Sequence, residues 1–219
     1  MWSSEVTNMI ITGIWETLYM TLVSTLVGYV IGLPMGIVLT VSDKDGIKPN
    51  ALLYKILDVI ANIVRSVPFI ILLVLLIPFT RLVVGKSYGS TATIVPLVIA
   101  AAPYIARMVE SSLKEVDAGV IEAARSMGAS NFTIITKVML VEARTSLLVG
   151  ATITLGTILG YSAMSGAVGG GGLGAIAIRY GYTRWQTDIM IVTVILLIIL
   201  FQIFQTVGMK LADKFDHRK

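Results

Sequence analysis

Apolar residues in this sequence fall in blocks of about 20, the length that an α-helix needs to cross roughly 30 Å of hydrocarbon. Of the 219 residues, 56% are hydrophobic and 14% are charged, so little chain remains for a separate soluble domain. We therefore predict an all-α membrane protein with a single domain over residues 1–219. The predicted spans lie at about 18–41, 59–79, 90–108, 146–167 and 189–208.

The distribution of Lys and Arg predicts the orientation of these spans. Short cytoplasmic loops of membrane proteins are enriched in both residues. The connections after the first and third spans, Arg107 at the edge of the third span and the C-terminal tail together hold twelve of them, against four in the other loops. We expect the N-terminus outside and the C-terminus in the cytoplasm. The net charge of +4 then reflects topology, and no nucleic-acid partner is predicted.

The residue types needed for catalysis are sparse. There is no cysteine, and the single histidine, His217, lies in a charged tail. Glu16 and Asp58 stand at the edges of predicted spans, so no carboxylate is expected near the middle of the membrane, where proton-coupled transporters place one. We predict no catalytic, cofactor-binding or metal-binding residue, and no enzyme activity in this chain.

Arg65 is a charged residue inside the second predicted span. An arginine there costs roughly 3 kcal/mol on insertion scales, so such residues usually face a bundle interior, a cavity or a partner. Near the cytoplasmic end of the span, its head group could instead reach the interface. Asp58, seven residues earlier, shares its helical face. Both interpretations stay open.

The fourth predicted span is the most polar. Tyr161, Ser162, Met164 and Ser165 at its end are candidates to line a substrate path. Met164, facing a second copy of itself, is a candidate for a flexible apolar plug, with ordinary helix packing as the alternative. The hydroxyl side chains have an alternative too, because Ser and Thr in membrane helices often bond the carbonyl one turn earlier or pack helices together.

A glycine-rich stretch, residues 169–174, follows this span. It formally matches G-x-G-x-x-G, but no strand precedes it and no acidic residue follows at the spacing of a dinucleotide site. No Lys-Ser or Lys-Thr pair follows it either, which excludes a phosphate-binding loop. We expect a flexible or re-entrant segment at the outer mouth.

Gly28 and Gly32 form a G-x-x-x-G pair in the first span. Such pairs can allow close contact between helices. Glycine is also simply more frequent in membrane helices, and we favour that explanation here.

Residues 117–141 interrupt the apolar pattern with helical spacing. Asp117 suits an N-cap and Gly128 a C-terminal stop, and Ser130 or Asn131 can open a second short helix. The residues expected on one face are Val120, Ile121, Ala124 and Met127 in the first helix and Phe132, Ile135 and Met139 in the second. A helix, a glycine turn and a second helix between membrane spans predict a docking surface for a cytoplasmic partner.

The same stretch resembles the EAA signature of prokaryotic ABC importer permeases. The signature reads E-A-A, three residues, G, nine residues and I-x-L-P. The same spacing is kept here by Glu122-Ala123-Ala124, Gly128 and residues 138–141. Val138 replaces the isoleucine of the signature, and Val141 replaces the proline, which in the family bends the chain toward the next span. The segments 63–72 and 160–182 look most like the methionine-uptake permeases.

The resemblance implies a type I ABC importer fold that works as a homodimer. It implies two cytoplasmic ABC ATPase subunits, which bind ATP and Mg, and an extracytoplasmic substrate-binding protein. Glu122, Ala123, Ala124 and Gly128 would couple to the ATPase, with the helix lying in a groove of that subunit. Glu122 would pair with the partner or with Arg125. The implied substrate is methionine.

Other functions remain open at the level of the sequence. A permease of this class could carry another amino acid or a small polar solute. A secondary transporter or channel subunit would need no ATPase, but the EAA spacing and the expected lack of mid-membrane carboxylates argue against it. A membrane scaffold without a pathway is disfavoured by the polar fourth span.

Overall fold

The computed structural model describes residues 4–215, which form helices and short connections without a strand among them. His217, Arg218 and Lys219, part of the tail considered above, lie outside the described residues. The helices are α1 (Ser4–Ser42), α2 (Ala51–Ser66), α3 (Phe69–Leu75), α4 (Ile77–Val84), α5 (Ser90–Lys114), α6 (Ala118–Ser126), α7 (Asn131–Thr133), α8 (Leu140–Glu142), α9 (Arg144–Ser165), α10 (Gly172–Ile176) and α11 (Thr187–Lys214).

Four helical stretches are long and apolar enough to cross a membrane. They are Ser4–Ser42, Ser90–Lys114, Arg144–Tyr182 and Thr187–Lys214. A fifth span exists only if α2 and α3, which meet at a bend of 102°, are counted together. An all-α membrane architecture is therefore confirmed, and the number of spans within residues 4–215 is four or five.

The predicted second span, 59–79, is wrong as a continuous helix. Val67 is extended (φ −83°, ψ 125°) and ends α2. Pro68 explains the break, because a proline disfavours helical backbone in the preceding residue. A second interruption falls at Leu76 (φ −85°, ψ 1°), between α3 and α4. Arg65 therefore lies in the last turn of α2 and is exposed, rather than inside a continuous span.

The first helix begins at Ser4, well before the predicted start at residue 18. Its early part is held by packing against α10. A Cβ on Gly13 would come within 2.4 Å of Ile176 Cδ1. The Thr17 hydroxyl accepts the N–H of Leu173 at 2.9 Å. These contacts join segments distant in the sequence, so the apolar pattern of residues 4–17 does not reveal them.

Helices α1 and α5 make the most extensive helix–helix contact within residues 4–215. A Cβ on Gly28 would meet Ile105 Cδ1 at 2.9 Å, and one on Gly32 would meet the Ala102 carbonyl oxygen at 2.6 Å. Gly36, one turn further on, lies equally close to α5. Our preference for simple glycine frequency is therefore wrong, and the glycines permit a backbone contact that no larger residue allows.

The glycine-rich stretch packs closely against its neighbours in the fold. The N–H of Gly172 donates to Glu16 Oε2 at 2.7 Å, and the N–H of Gly89 donates to the Gly169 carbonyl at 2.8 Å. A Cβ on Gly174 would lie 2.1 Å from the Ala163 carbonyl oxygen. The chain thus folds back tightly against the end of α9, and its flexible or re-entrant character stays a prediction.

Candidate functional site: a coupling segment and an arginine–tyrosine cavity

The coupling segment, residues 117–141, opens with the predicted cap and ends its first helix at the predicted glycine. Asp117 Oδ1 accepts the N–H of Gly119 at 2.8 Å. Gly128 adopts φ +81°, its N–H donates to the Arg125 carbonyl at 2.9 Å, and the N–H of Ala129 donates to the Ala124 carbonyl at 3.1 Å. These two bonds define a Schellman motif, so Asp117 and Gly128 set both ends of α6.

The second helix begins at the predicted Ser130, whose hydroxyl accepts the N–H of Thr133 at 3.2 Å. From Ile134 to Met139 the helix widens into a π turn, and the N–H of Leu140 donates to the carbonyl of Ile135, five residues earlier. Ile134 and Met139 are consequently the buried pair. The predicted face of Phe132, Ile135 and Met139 is wrong, because the wider turn places Phe132 outside, 75% exposed.

The predicted apolar face of α6 is also divided. Ala124 packs inward at 6% exposure, whereas Val120 and Met127 are 42% and 82% exposed. Together with Phe132 and Val141, which is 44% exposed, they make four large apolar side chains on the outside of the coupling segment, where Glu122 and Ala123 are exposed too. Apolar side chains exposed in this way, next to a polar rim, are typical of a surface that binds another protein.

Arg125 contacts the connection between α1 and α2 rather than Glu122. Its Nη2 donates to the Ile47 carbonyl at 3.0 Å. No ion pair between Glu122 and Arg125 occurs in the described part of the chain, so that pairing was wrong. Both residues line a cavity of about 600 Å³ that also reaches Asp43 and Lys44 in the α1–α2 connection.

A charged network, which the sequence did not lead us to expect, joins α5 to α1 and α2. Glu110 is 5% exposed, and its carboxylate accepts from Arg107 at 2.7 Å, Lys114 at 2.8 Å and the Tyr54 hydroxyl at 3.3 Å. Arg107 also binds the carboxylate of Asp58. The three charges at i, i+3 and i+7 on α5 were the signal that could have revealed it.

Lys114 extends this network to the end of α1. Its Nζ lies 2.6 Å from Asp43 Oδ2. This hydrogen bond is the main reason that the pKa of Asp43 lies below its usual value. The connection after α1 is thus tied to α5 within three residues of Asp117, where the coupling segment begins. These ion pairs connect the helix that precedes the coupling segment to the end of α1.

Arg65 and Tyr161, predicted as path residues from distant parts of the chain, line one cavity. Its volume is about 190 Å³, and Tyr104 and Phe69 also line it. The rings of Phe69 and Tyr161 stack with centroids 4.4 Å apart and planes 4° from parallel. Asp58, which shares a helical face with Arg65, pairs with Arg107 instead.

The other predicted path residues separate into buried and exposed groups. Ser162 and Ser165 are buried, and their hydroxyls donate to the carbonyls of Leu159 at 2.8 Å and Ser162 at 2.6 Å. The side chains of both serines thus bond backbone inside the protomer. Met164 is 54% exposed, on the surface of α9. A path role for Tyr161, Ser162, Met164, Ser165 and Arg65 stays a prediction.

Three threonine hydroxyls in α9 also bond the preceding turn. Each donates to the carbonyl four residues earlier; they are Thr152, Thr154 and Thr157. The backbone-bonding alternative is confirmed for them. The polarity of this helix therefore does not by itself indicate a path.

Comparison with known families places these features in context. A family model described as "binding-protein-dependent transport system inner membrane component" matches residues 28–218. A probable D-methionine transport system permease protein of Vibrio cholerae serotype O1 is 48% identical over 99% of this chain and 96% of that protein. The D-methionine transport system permease protein of Escherichia coli K12 is 52% identical over 72% of this chain and 73% of that protein.

Solved structures give the same result. A chain of the MetNI methionine ABC transporter, in an inward-facing conformation, superposes with a TM-score of 0.97 at 49% identity. The match covers 99% of this chain and all of that chain. An amino acid ABC transporter solved with histidines shares the fold alone, with a TM-score of 0.73 at 22% identity over 98% of this chain and 96% of that one.

Proposed function

This chain belongs to the family of binding-protein-dependent transport system inner membrane components, and we propose that it is the permease subunit of an ATP-driven methionine importer. The observation that carries the proposal is the 48% identity to a D-methionine permease protein, which extends over 99% of this chain. The matched region covers the coupling segment and the cavity around Tyr161. It favours methionine over another amino acid or a small polar solute.

The coupling segment is the proposed site of energy input. A helix of α6's length fits a groove on a partner protein, with its exposed apolar side chains as anchors. Val120 in α6, Met127 directly after it and Phe132 in α7 supply those anchors, and Glu122 is exposed on α6. The partner would be a cytoplasmic ABC ATPase that binds ATP and Mg, and this subunit would hydrolyse nothing itself.

The topology follows from this assignment. Counting α2 and α3 as one bent span gives five crossings, with the N-terminus outside and the C-terminus in the cytoplasm of a prokaryotic cell. This orientation places the coupling segment on the same side as ATP. The concentration of Lys and Arg in the connections on that side supports it.

A path between five helices needs a second copy of the chain. Two copies related by a two-fold axis would place the same surface of each against the other. The face of α9 that carries Ile153 and Met164, 42% and 54% exposed, is the proposed contact surface. An extracytoplasmic binding protein would deliver methionine to the opposite end. Closure of the ATPase pair would then rock the helices and open the path alternately to each side.

Co-purification with a candidate ABC ATPase, followed by reconstitution into vesicles with a binding protein, tests the proposal. Labelled methionine should accumulate only when ATP and Mg are present on the coupling-segment side. Substitution of both Met127 and Phe132 by serine should abolish co-purification, whereas Lys137→Ser should not. Failure to bind any ABC ATPase overturns the coupling assignment, and ATP-driven transport without methionine uptake overturns the substrate.

A further inference from the structure

We propose that Arg65 binds the carboxylate of the transported amino acid, in the cavity that it lines with Tyr104 and Tyr161. The inference rests on the proposed importer function and names the group that recognises its substrate. The three residues come from α2, α5 and α9, so the cavity exists only in the folded chain. It lies where α2 ends and the chain turns by 102° into α3.

The charge at this cavity is available for a ligand. None of the ion pairs found among residues 4–215 involves Arg65. The acidic residue nearest in helical register, Asp58, is committed to Arg107. The planar guanidinium offers paired donors that match a carboxylate in two parallel hydrogen bonds. An anionic group entering the cavity would therefore find a cation that no protein carboxylate neutralises.

The remaining lining suits the rest of a small apolar amino acid. Phe69 and Tyr161 present a stacked aromatic pair, and Leu72 and Ala100 add apolar surface. A thioether gains from contact with aromatic rings, and an ammonium group is attracted to the face of a tyrosine. At about 190 Å³ the cavity has room for one small amino acid.

The position of the cavity is also consistent with a substrate that passes along the proposed path. Tyr161 lies one turn from Met164, which is 54% exposed on α9. A Cβ on Gly160, directly before Tyr161, would meet open space. The cavity thus adjoins the α9 face that we assign to the two-fold axis, and a substrate moving along that axis passes the guanidinium.

The test uses the permease with its ATPase, reconstituted in nanodiscs without the binding protein, and labelled methionine as the probe. The competitors are methionine and methioninamide, which lacks the carboxylate. The wild-type complex should prefer methionine by about tenfold, as a charge-assisted hydrogen bond predicts. Arg65→Gln should remove that preference, Arg65→Lys should restore part of it, and Tyr104→Phe should weaken methionine binding. Arg81→Gln, an exposed arginine on α4, is the matched control and should leave the preference unchanged.

Three results would overturn the inference. Retention of the carboxylate preference by Arg65→Gln would show that another group supplies it. Equal losses of binding for both ligands, together with a fall in basal ATP hydrolysis, would show a structural role. A loss of methionine binding by Arg65→Gln that appears in anionic but not in zwitterionic lipid would identify an anionic lipid headgroup as the ligand of Arg65. Methionine uptake by the wild-type complex with its binding protein tests the proposed function separately from this inference. If that complex imports no methionine, the proposed function itself is wrong.

Discussion

The Arg125 guanidinium donates to the carbonyl of Ile47 at 3.0 Å and so joins the coupling segment to the connection between α1 and α2. The connection is itself tightly folded, since a Cβ on Gly46 would lie 2.4 Å from the Val41 carbonyl oxygen. A displacement of α6 by a partner would therefore pull on the end of α1. This contact connects the proposed docking surface to α1, the helix that packs along α5.

Loss of this contact should loosen the connection without unfolding the protein. Arg125→Ala removes one hydrogen bond of a charged donor, worth roughly 1 kcal/mol at an exposed site. Amide hydrogen exchange in residues 43–50 of the intact complex should accelerate about fivefold, while exchange in α5 stays unchanged. Lys137→Ala, at another exposed basic residue of the coupling segment, is the control. Equal acceleration in both variants would mean that Arg125 has no specific role.

Gly128 should tolerate asparagine better than alanine. At φ +81° a residue with a Cβ is strained by roughly 1–2 kcal/mol, and asparagine tolerates this region better than other residues. No atom lies within 4 Å of an added Cβ, so backbone strain alone decides the result. Gly128→Ala should weaken binding of the ATPase about tenfold, and Gly128→Asn should weaken it less. The affinity for the ATPase can be measured on immobilised complexes. Equal affinities of the two variants would contradict the role of backbone strain.

Close packing between α1 and α5 should make Gly32 intolerant of even one methyl group. Its Cβ would lie 2.6 Å from the Ala102 carbonyl oxygen and 2.7 Å from Ile105 Cβ. Overpacking of this kind costs about 1–3 kcal/mol. Gly32→Ala should lower the thermal unfolding midpoint in detergent. Val30→Ala, at a side chain 68% exposed on the same helix, should leave it nearly unchanged.

Features fixed by local chemistry were predictable from the sequence, and those fixed by tertiary contact were not. The caps Asp117, Gly128 and Ser130 act on backbone groups within a few residues, so their residue types were sufficient evidence. The π turn after α7 was missed because its wide register depends on what Ile134 and Met139 pack against. The break at Pro68 was visible in principle, but the apolar run that continues beyond it masked the change of direction.

The candidate site shows the same division. Glu122, Ala123, Ala124 and Gly128 were recognisable because a short, locally ordered motif carries them. Arg65 and Tyr161 could each be singled out, as a charge and as a polar group in apolar surroundings. Their shared cavity depends on the 102° bend after α2, which the apolar pattern does not encode. The Glu110 network was missed because two of its partners, Tyr54 and Asp58, come from another helix.

Acid should weaken the link between Asp43 and Lys114. The hydrogen bond lowers the pKa of Asp43, so the stabilisation is present above the ordinary aspartate value of about 3.9 and is lost as pH falls through the lower folded value. Wild type should therefore be more stable than Asp43→Asn at neutral pH, and the two unfolding midpoints should converge in acid. A constant difference across that range would exclude titration of Asp43 as the cause.

Removal of the Glu110 carboxylate should destabilise the fold more than removal of any exposed ion pair. Glu110 receives donors from Arg107, Lys114 and Tyr54, and its side chain is 6% exposed. In Glu110→Gln the amide lacks the charge that offsets the two cations. Breaking a buried pair in this way costs about 3 kcal/mol or more.

The matched control is Lys44→Gln, which breaks the Lys44–Asp45 pair, 3.7 Å apart, with side chains 85% and 83% exposed. Because such exposed pairs contribute about 0–1 kcal/mol, the control should be close to wild type in thermal unfolding of the detergent-solubilised complex. Equal unfolding midpoints for the two variants would mean that the network orders the helices without stabilising them. Arg107→Gln should resemble Glu110→Gln, since it removes the cation that connects Glu110 to Asp58.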